Sequence, residues 1–237
     1  MMKCNAQLLY LSPFKSTWMY KNWWKILGAV LVVYSTIWGF LSSVPALPIL
    51  HESIRNLYFH VPMWFGMIVL FSISVYYSIK YLSSSNPDDD IKAVESVNVG
   101  VVFGLLGIVT GAIWARFTWG QAWSFDVKQN FAAIAILLYF AYLVLRNAID
   151  EEQKRAKLSA IYNIFAFPIM VVLLFVLPRL ADSLHPGNGG NPGFNAYDLD
   201  SRMRMVFYPA CLGWILIGCW IYNLRFRVRK LENNNIL

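Results

Sequence analysis

The histidines are the side chains of this chain best suited to bind a transition metal. There are three, His51, His60 and His185, and neutral imidazole is a common ligand for iron, copper and zinc. His60 and His185 each stand where a long apolar run meets a polar connection, whereas His51 stands farther from such a boundary. These positions favour His60 and His185 as a pair of metal ligands and leave His51 unligated. A histidine that is only hydrogen-bonded at the edge of an apolar segment is the alternative for each of them.

The stretch TGAIWARFTWGQAWSFDVKQN, residues 110–130, concentrates aromatic side chains between two apolar runs. Its rings and its lone carboxylate are Trp114, Trp119, Trp123, Phe125 and Asp126. A connection that only turns the chain is rich in Gly, Pro, Asn and Ser, and tryptophans that only anchor a helix at a membrane surface need no fixed spacing. Rings at this spacing are typical of a site for a flat, apolar partner with charged edges, and haem is such a partner.

The cysteines indicate that any such partner is held without a covalent bond. The sequence has no C-x-x-C-H motif for attachment of haem. Cys211 and Cys219 fall in an apolar run, where cysteine acts as a small hydrophobic residue. We therefore expect haem b, bound non-covalently by histidine ligation and apolar packing.

The composition predicts a membrane protein. Hydrophobic residues make up 58% of the chain and charged residues only 14%, against about a quarter charged in ordinary soluble domains. Most of the apolar runs reach the roughly 18 to 20 residues that cross a hydrocarbon core, and lipid offers the backbone no hydrogen-bond partner, so the runs should be helices. We predict an all-α, polytopic integral membrane protein with six transmembrane helices rather than a soluble helical core. The apolar runs are 26–43, 61–79, 97–115, 131–145, 159–178 and 205–224.

The distribution of Lys and Arg predicts the topology. With the N-terminus inside, 14 of the 20 basic residues fall on the inner side, so the positive-inside rule places both termini in the cytoplasm. We predict a basic cytoplasmic segment over 1–25, one membrane domain over 26–224 and a basic cytoplasmic tail over 225–237. Anionic membrane lipid accounts for the net charge of +7, and no nucleic acid partner is expected. The outer side then carries all three histidines, an aromatic loop over about 116–130 and a long loop over about 179–204.

Prolines, glycines and polar residues in and between the apolar runs predict finer structural features. Val61-Pro62 should open the second helix, because proline suits a first turn, and residues 81–95 should form a polar inner connection. Gly100, Gly104, Gly107 and Gly111 form small-xxx-small pairs that allow close packing of the third helix. The Gly/Asn/Pro run at 187–193 should be a mobile loop beside His185.

Three stretches together resemble the CcmC family, the haem-handling proteins with a WWD loop that serve cytochrome c maturation. The stretches are FHVP at 59–62, WGQAWSFD at 119–126 and LHPG at 184–187. The resemblance covers about residues 22–227 and includes the order of the six helices. The loop pattern of that family is W-G-x-W-W-x-W-D, from which this chain departs at Ala122 and Phe125.

The resemblance implies a protein of the bacterial inner membrane that presents haem at the periplasmic face to the haem chaperone CcmE. It would act beside the transporter subunits CcmA and CcmB and the small protein CcmD. By position, His60 and His185 would be the axial ligands of the haem iron, and Trp119, Trp123 and Asp126 would form the haem platform and the docking surface. Basic side chains would pair with the haem propionates. The candidates are Arg55, Arg116, Lys128 and Arg179.

Two other classes of protein are the alternatives. A haem lyase-like enzyme would attach haem to apocytochrome c, but the lyases that share this loop are larger and carry a further histidine pair within the membrane. A transporter of haem or another small molecule would favour ionisable groups at mid-membrane, which the apolar runs nearly lack. We expect an assembly factor rather than an enzyme.

Overall fold

The protein is a bundle of six α-helices in the computed structural model, which describes residues 14–47, 49–185 and 199–236. No strand occurs within these described ranges. The helices are α1 (Phe14–Leu41), α2 (Leu57–Ser84), α3 (Pro87–Trp119), α4 (Val127–Asn147), α5 (Glu152–Val171) and α6 (Ser201–Ile236). A 3-10 helix, His51–Asn56, precedes α2, and α5 continues through a π-helical turn, Val172–Val176, and a 3-10 turn, Leu177–Arg179. The run at 187–193 lies outside the described residues.

All six helices, with the turns continuous with them, are long and apolar enough to cross a membrane. The fourth apolar run, 131–145, looked short in the sequence, but α4 extends it at both ends to 21 residues. At 1.5 Å per residue that helix is about 30 Å long, which matches a hydrocarbon core. The predicted all-α, multi-pass architecture is confirmed.

The predicted start of the second helix was wrong. We placed it at Val61-Pro62, but α2 begins at Leu57, because the preceding 3-10 helix runs into it through the helical backbone of Asn56. Pro62 therefore falls in the second turn of α2. His60 lies inside the first turn of the helix rather than before it, which fixes its position more firmly than a loop would.

The predicted inner connection at 81–95 was also too long. It shrinks to Ser85 and Asn86, between the end of α2 and the start of α3. Ser85 adopts a left-handed conformation with φ of 54° that ends α2, and the side chain of Asn86 accepts a hydrogen bond of 3.0 Å from the amide of Asp88. An asparagine cap followed by proline and acidic residues is a strong helix start, and it outweighs the polarity of the segment.

Helix α2 packs against α3, α5 and α6, while α1 packs on α6 and α4 packs on α3 and α5. The close packing predicted from the glycines is a contact between each glycine and an aromatic ring of the neighbouring helix. A β-carbon at Gly100 would stand 2.5 Å from the ring of Phe71, and one at Gly66 would stand 2.5 Å from the ring of Phe103. Phe71 also stacks on Tyr139 with ring centroids 3.5 Å apart. The glycines of α2 and α3 thus make room for the aromatic core.

Ion pairs tie the helices together at the end of the bundle where α3 begins. Asp90 of α3 and Arg146 of α4 form a two-pronged pair, with Nη1 and Oδ1 2.7 Å apart. The two side chains are only 11% and 12% exposed. Glu95 of α3 binds Arg225 of α6 at 2.6 Å. These contacts fix α3 relative to α4 and α6, far along α3 from the aromatic loop.

Replacing Arg146 by leucine should destabilise the bundle, because the carboxylate of Asp90 would be left buried without its partner. The cost of breaking such a buried pair is about 3 to 5 kcal/mol. The measurement is the thermal unfolding temperature of the protein in detergent. Arg229→Leu is the matched control, since the pair that Arg229 forms with Glu232 is more than half exposed and should contribute less than about 1 kcal/mol. Equal unfolding temperatures for both variants would contradict this prediction.

Candidate functional site

The imidazole of His60 is seated between α2 and α3. A β-carbon at Gly111 of α3 would stand 2.6 Å from Cε1 of His60, so only glycine leaves room for this ring. Two indoles flank the imidazole edge-on, with ring centroids 6.1 Å away for Trp64 and 5.9 Å away for Trp114. Rigid neighbours on several sides hold the ring in one place.

Hydrogen bonds fix the tautomer of His60. Its Nδ1 lies 3.2 Å from Oγ1 of Thr110. The Thr110 hydroxyl donates its own proton to the carbonyl of Leu106 at 2.7 Å, so it accepts one from Nδ1. The indole N–H of Trp64 donates to Nε2 at 3.3 Å. The proton is therefore on Nδ1, and Nε2 carries the lone pair that could bind a metal.

Trp114 supports His60 and does not belong to an exposed loop surface. It lies within α3, is 8% exposed, and its indole N–H donates to Oγ of Ser53 at 3.1 Å. Ser53 is in the 3-10 helix that leads into α2 and also lies 3.2 Å from Oγ1 of Thr118. Trp114 thus links the end of α3 to the start of α2, the two elements that position His60.

The aromatic loop spans only residues 120–126, because α3 continues to Trp119 and α4 begins at Val127. The predicted range of 116–130 was too wide. Gly120 ends α3 with a φ of 82°, a left-handed conformation that glycine adopts without strain. Its carbonyl accepts a hydrogen bond from the side chain of Arg116.

The first turns of α4 hold the loop in place. The side-chain oxygen of Gln129 accepts from the amide of Ser124 at 3.0 Å, and its amide group donates to the carbonyl of Ala122 at 3.3 Å. Asn130 donates to the carbonyl of Phe125 at 2.9 Å. The loop is therefore fixed by side chains that follow it in the sequence.

Asp126, the last residue of the loop, is buried and holds His185. Its Oδ1 lies 2.8 Å from Nδ1 of His185 and 3.1 Å from the hydroxyl of Ser183. Its Oδ2 accepts the amide of Leu184 at 2.7 Å. The same carboxylate caps α4 by accepting the amide of Lys128 at 2.9 Å. One carboxylate thus joins the loop, the start of α4 and the segment that carries His185.

The protonation states of this pair suit metal binding. Burial opposes ionisation of Asp126, but the Leu184 amide, the neighbouring His185, the Lys128 amide and the Ser183 hydroxyl together hold its pKa below the ordinary value. Burial lowers the pKa of His185, and the positive charge of Lys128 adds to this, while Asp126 opposes it. His185 is therefore a neutral imidazole at neutral pH. Its Nδ1 donates to an ionised carboxylate, which leaves the lone pair on Nε2.

The predicted platform residues occupy different positions relative to His185. The ring of Trp119 lies against the imidazole, with centroids 5.1 Å apart and planes tilted by 60°. Trp123 is partly buried. Phe125, which stands where the family pattern has tryptophan, is 78% exposed and has a φ of 58°. A left-handed backbone at a bulky aromatic residue costs energy and is uncommon, and here it turns an apolar ring outward.

The candidate cations fall into two groups. Arg55 is used inside the fold, since its guanidinium donates to the carbonyls at the end of α1, Gly39 at 2.9 Å and Ser42 at 2.5 Å. The ammonium nitrogen of Lys128 is buried, whereas Arg116 and Arg179 are exposed, although Arg116 also donates to the Gly120 carbonyl. Exposure therefore favours Arg179 and Arg116 over Arg55 as partners for an anionic ligand.

Two neutral imidazoles, each with Nε2 as its lone-pair nitrogen, form a donor set suited to haem iron. Indole rings flank both imidazoles, Trp114 beside His60 and Trp119 beside His185. His51 is exposed at the start of the 3-10 helix. Within the described residues no cluster of three or more His, Cys, Asp or Glu side chains could hold a bare metal ion.

Several supporting residues were missed by sequence reasoning. Thr110 and Gly111 lie in an apolar part of α3 whose sequence gives no sign of a site. Ser183 lies in a connection whose sequence gives no sign of one either. Gln129 carried a signal, because a polar amide near the start of an apolar helix needs a partner when it is buried. The Gly107–Gly111 pair of α3 was interpreted as a helix-packing feature alone, whereas Gly111 also leaves the space that the His60 ring occupies.

Replacing Gly111 by alanine should displace the His60 imidazole, because the new methyl group would stand 2.6 Å from Cε1. We expect roughly 10-fold to 100-fold weaker haem binding, the range seen when the support of a metal ligand is lost. The measurement is a titration of the detergent-purified protein with haem, followed in the Soret band. Gly218→Ala is the control, since its nearest neighbours are side-chain atoms at 3.2 Å that can move aside. Unchanged haem affinity in Gly111→Ala would contradict the role of Gly111 in positioning the His60 ring.

A model of the CcmC family, described as "Heme exporter protein C", matches residues 10–235 of the chain. Proteins of that name are similar over much of its length. The one from Haemophilus influenzae is 24% identical over 211 residues, which cover 88% of this chain and 83% of the relative. The one from Bradyrhizobium diazoefficiens is 27% identical over 113 residues, 47% of this chain and 43% of that relative's own length.

A second group of relatives matches a shorter segment. A cytochrome c biogenesis protein CcsA from Prochlorococcus marinus is 36% identical over 107 residues, which cover 43% of this chain. The matched segment spans only 34% of the CcsA protein. The likeness to this group is therefore local, while the likeness to the first group extends along most of the chain.

Proposed function

Because the chain belongs to the CcmC family of heme exporter C proteins, we propose that it handles haem in the biogenesis of c-type cytochromes. It binds haem b non-covalently at the outer face of the bacterial inner membrane and delivers it to the periplasmic haem chaperone CcmE. The names of its relatives, heme exporter protein C and cytochrome c biogenesis protein, support this class of function.

One observation supports the proposal: two separate elements bring an imidazole to the C-terminal end of α3, His60 beside Trp114 and His185 beside Trp119, each with its proton on Nδ1. Thr110 holds that proton at His60, and Asp126 holds it at His185. A metal-binding histidine commonly donates its other ring N–H to a carboxylate or a hydroxyl, which fixes its orientation. His60 and His185 are the proposed axial ligands of the haem iron.

The rest of the site supports a cargo that must enter and leave. Trp119 lies beside His185, and the exposed rings and side chains of Phe125 and Leu184 offer apolar contact. The exposed Arg116 and Arg179 are the proposed partners of the haem propionates. Bound haem would supply the iron that the imidazoles ligate and the flat surface on which the rings pack.

The membrane orientation belongs to the same proposal. The Lys and Arg distribution puts both termini in the cytoplasm. The His60 end of α2 and the start of α4 then face the periplasm, where CcmE acts. CcmA, CcmB and CcmD are the proposed membrane and ATP-hydrolysing partners, carried over from the family. The chain is an assembly factor in this scheme, because its site holds haem and makes no bond to it other than ligation.

The test is the fate of haem on the purified protein. Detergent-purified protein from haem-replete cells should carry haem b that acidified acetone extracts completely. Mixed with the soluble domain of CcmE, it should lose that haem to the chaperone, as followed by separating the two proteins and recording both spectra. Protein without haem, haem that resists extraction, or haem that stays on the protein would each overturn part of the proposal.

A further inference from the structure

We propose that Trp64 is a displaceable cap on the iron-binding nitrogen of His60, an inference that rests on the proposed function. The indole N–H of Trp64 donates to Nε2 of His60 at 3.3 Å. Nε2 is the nitrogen that carries the lone pair, because Nδ1 holds the proton against Thr110. The ligand atom of His60 is therefore already engaged in this structure.

The position of the indole is built into the helix interface. Trp64 stands one turn after His60 on α2, and its ring lies directly over Gly107 of α3. A β-carbon at Gly107 would stand 2.7 Å from Cε2 and 3.1 Å from Nε1 of the indole. Gly107 and Gly111, four residues apart, thus form adjacent seats for Trp64 and His60. Such a fit indicates a specific contact between the two rings.

The other indole beside His60 does not make this contact. Trp114 has the same edge-on geometry, but its N–H donates to Ser53. His185 has its Nδ1 on Asp126 and a tilted ring contact with Trp119. The structure therefore has one capped ligand and one that is held by a carboxylate.

Capping and iron ligation exclude each other. The lone pair of a neutral imidazole is single, so Nε2 cannot accept the indole N–H and bind iron together. Haem binding must break the Trp64 bond, and the bond reforms when haem leaves. Trp64 thus competes with iron within the protein and lowers the affinity to a level that permits handover. Removing one such neutral hydrogen bond should tighten haem binding roughly 3-fold to 10-fold.

The cap can be tested first without haem. In protein labelled with nitrogen-15 in tryptophan, the indole N–H signal of Trp64 is the one that disappears in Trp64→Phe. That signal should shift when His60 is replaced by alanine and should stay in place when His51 is replaced by alanine. An indole signal indifferent to His60 would overturn the proposal, whether or not the protein binds haem.

The second test is a haem titration of the wild type, Trp64→Phe and the control Trp214→Phe. Phenylalanine keeps most of the ring volume and removes the N–H. Trp214 is an indole of α6 that packs on Phe103, so its replacement reports the general effect of losing a membrane tryptophan. Tighter binding and slower release in Trp64→Phe alone, with a low-spin six-coordinate spectrum, is the expected result.

Failure of the cap and failure of the proposed function are distinguishable. The Trp64→Phe protein should have the helical content and unfolding temperature of the control. If its haem affinity is nevertheless unchanged or weaker, the proposed competition between Trp64 and iron is wrong, and the proposed function is unaffected. Wild-type protein that binds no haem, or binds it equally after His60→Ala, sinks the ligand assignment. In that second case the indole signal still decides whether Trp64 bonds to His60.

Discussion

Replacing His60 or His185 by alanine should reduce the affinity for haem by more than about 100-fold. Loss of the support of a metal-binding histidine costs about 10-fold to 100-fold, so loss of the ligand itself should exceed that range. Any haem that stays should be five-coordinate, with the single remaining histidine as its axial ligand. The Soret band and the visible bands of the detergent-purified protein report this change of coordination directly.

The physical reason is that the two ligands come from separate elements. His60 is part of α2, and His185 follows the 3-10 turn that ends the fifth helical segment. Each ring is held by its own neighbours, Gly111 and Thr110 for one and Asp126 for the other. Removing one imidazole leaves the other in place, so each single variant should show partial coordination rather than a collapsed fold.

His51→Ala is the matched control for both variants. His51 is exposed at the start of the 3-10 helix, and its loss removes the remaining histidine of the chain without touching either proposed ligand. We expect its haem spectrum and affinity to equal those of the wild type. A His60→Ala or His185→Ala protein with the wild-type spectrum would show that the iron is held by other groups.

The aromatic and histidine patterns of the sequence drew attention to residues that the structure brings into contact, since Trp119 lies against His185 and Trp114 lies beside His60. Hydropathy predicted the six helices, since lipid leaves the backbone no other regular structure. The boundaries were harder. The helix that carries His60 begins at Leu57, four residues before the predicted start at Val61, because a 3-10 turn can lead into a helix without any break in the apolar pattern.

The supporting contacts could not be read from the sequence, because they join residues far apart along the chain. Asp126 meets His185 across 59 positions of sequence, and Thr110 meets His60 across 50. The resemblance to the CcmC family assigned Asp126 to the haem platform and the docking surface. It is only 7% exposed, because two backbone amides, a hydroxyl and an imidazole replace the water that it gives up.

This burial leads to the second large effect, which is the replacement of Asp126 by asparagine. The variant should bind haem about 10-fold to 100-fold more weakly, the cost of losing a carboxylate that orients a metal-binding histidine. Asparagine has nearly the same shape, but Lys128 donates to Oδ1 and Leu184 to Oδ2, so the single oxygen of asparagine can keep only one of these amides. An oxygen in the place of Oδ2 keeps the Leu184 amide and turns the NH2 group toward His185. The lost cap on α4 costs about 1 kcal/mol, so the fold should persist.

The Asp126→Asn substitution changes which ring nitrogen of His185 carries the proton. The carboxylate of Asp126 can only accept, so it requires the proton on Nδ1, whereas the amide of asparagine can donate to Nδ1 and leave the proton on Nε2. That tautomer has no lone pair on the nitrogen proposed to face the iron. The neutral amide also leaves the imidazole less basic, so haem that does bind should have a higher reduction potential than in the wild type.

The neighbouring carboxylate Asp182 supplies the control. It is exposed, and Asp182→Asn removes the same charge three residues from His185 without touching its Nδ1. A general electrostatic role for acidic groups near the site would weaken haem binding in both variants and would shift both potentials. A role for Asp126 in fixing the tautomer would affect Asp126→Asn alone, and a normal spectrum and affinity in that variant would remove the carboxylate from the account of His185. The comparison therefore separates the charge of Asp126 from its hydrogen bond, which the arrangement around His185 indicates is the part that matters.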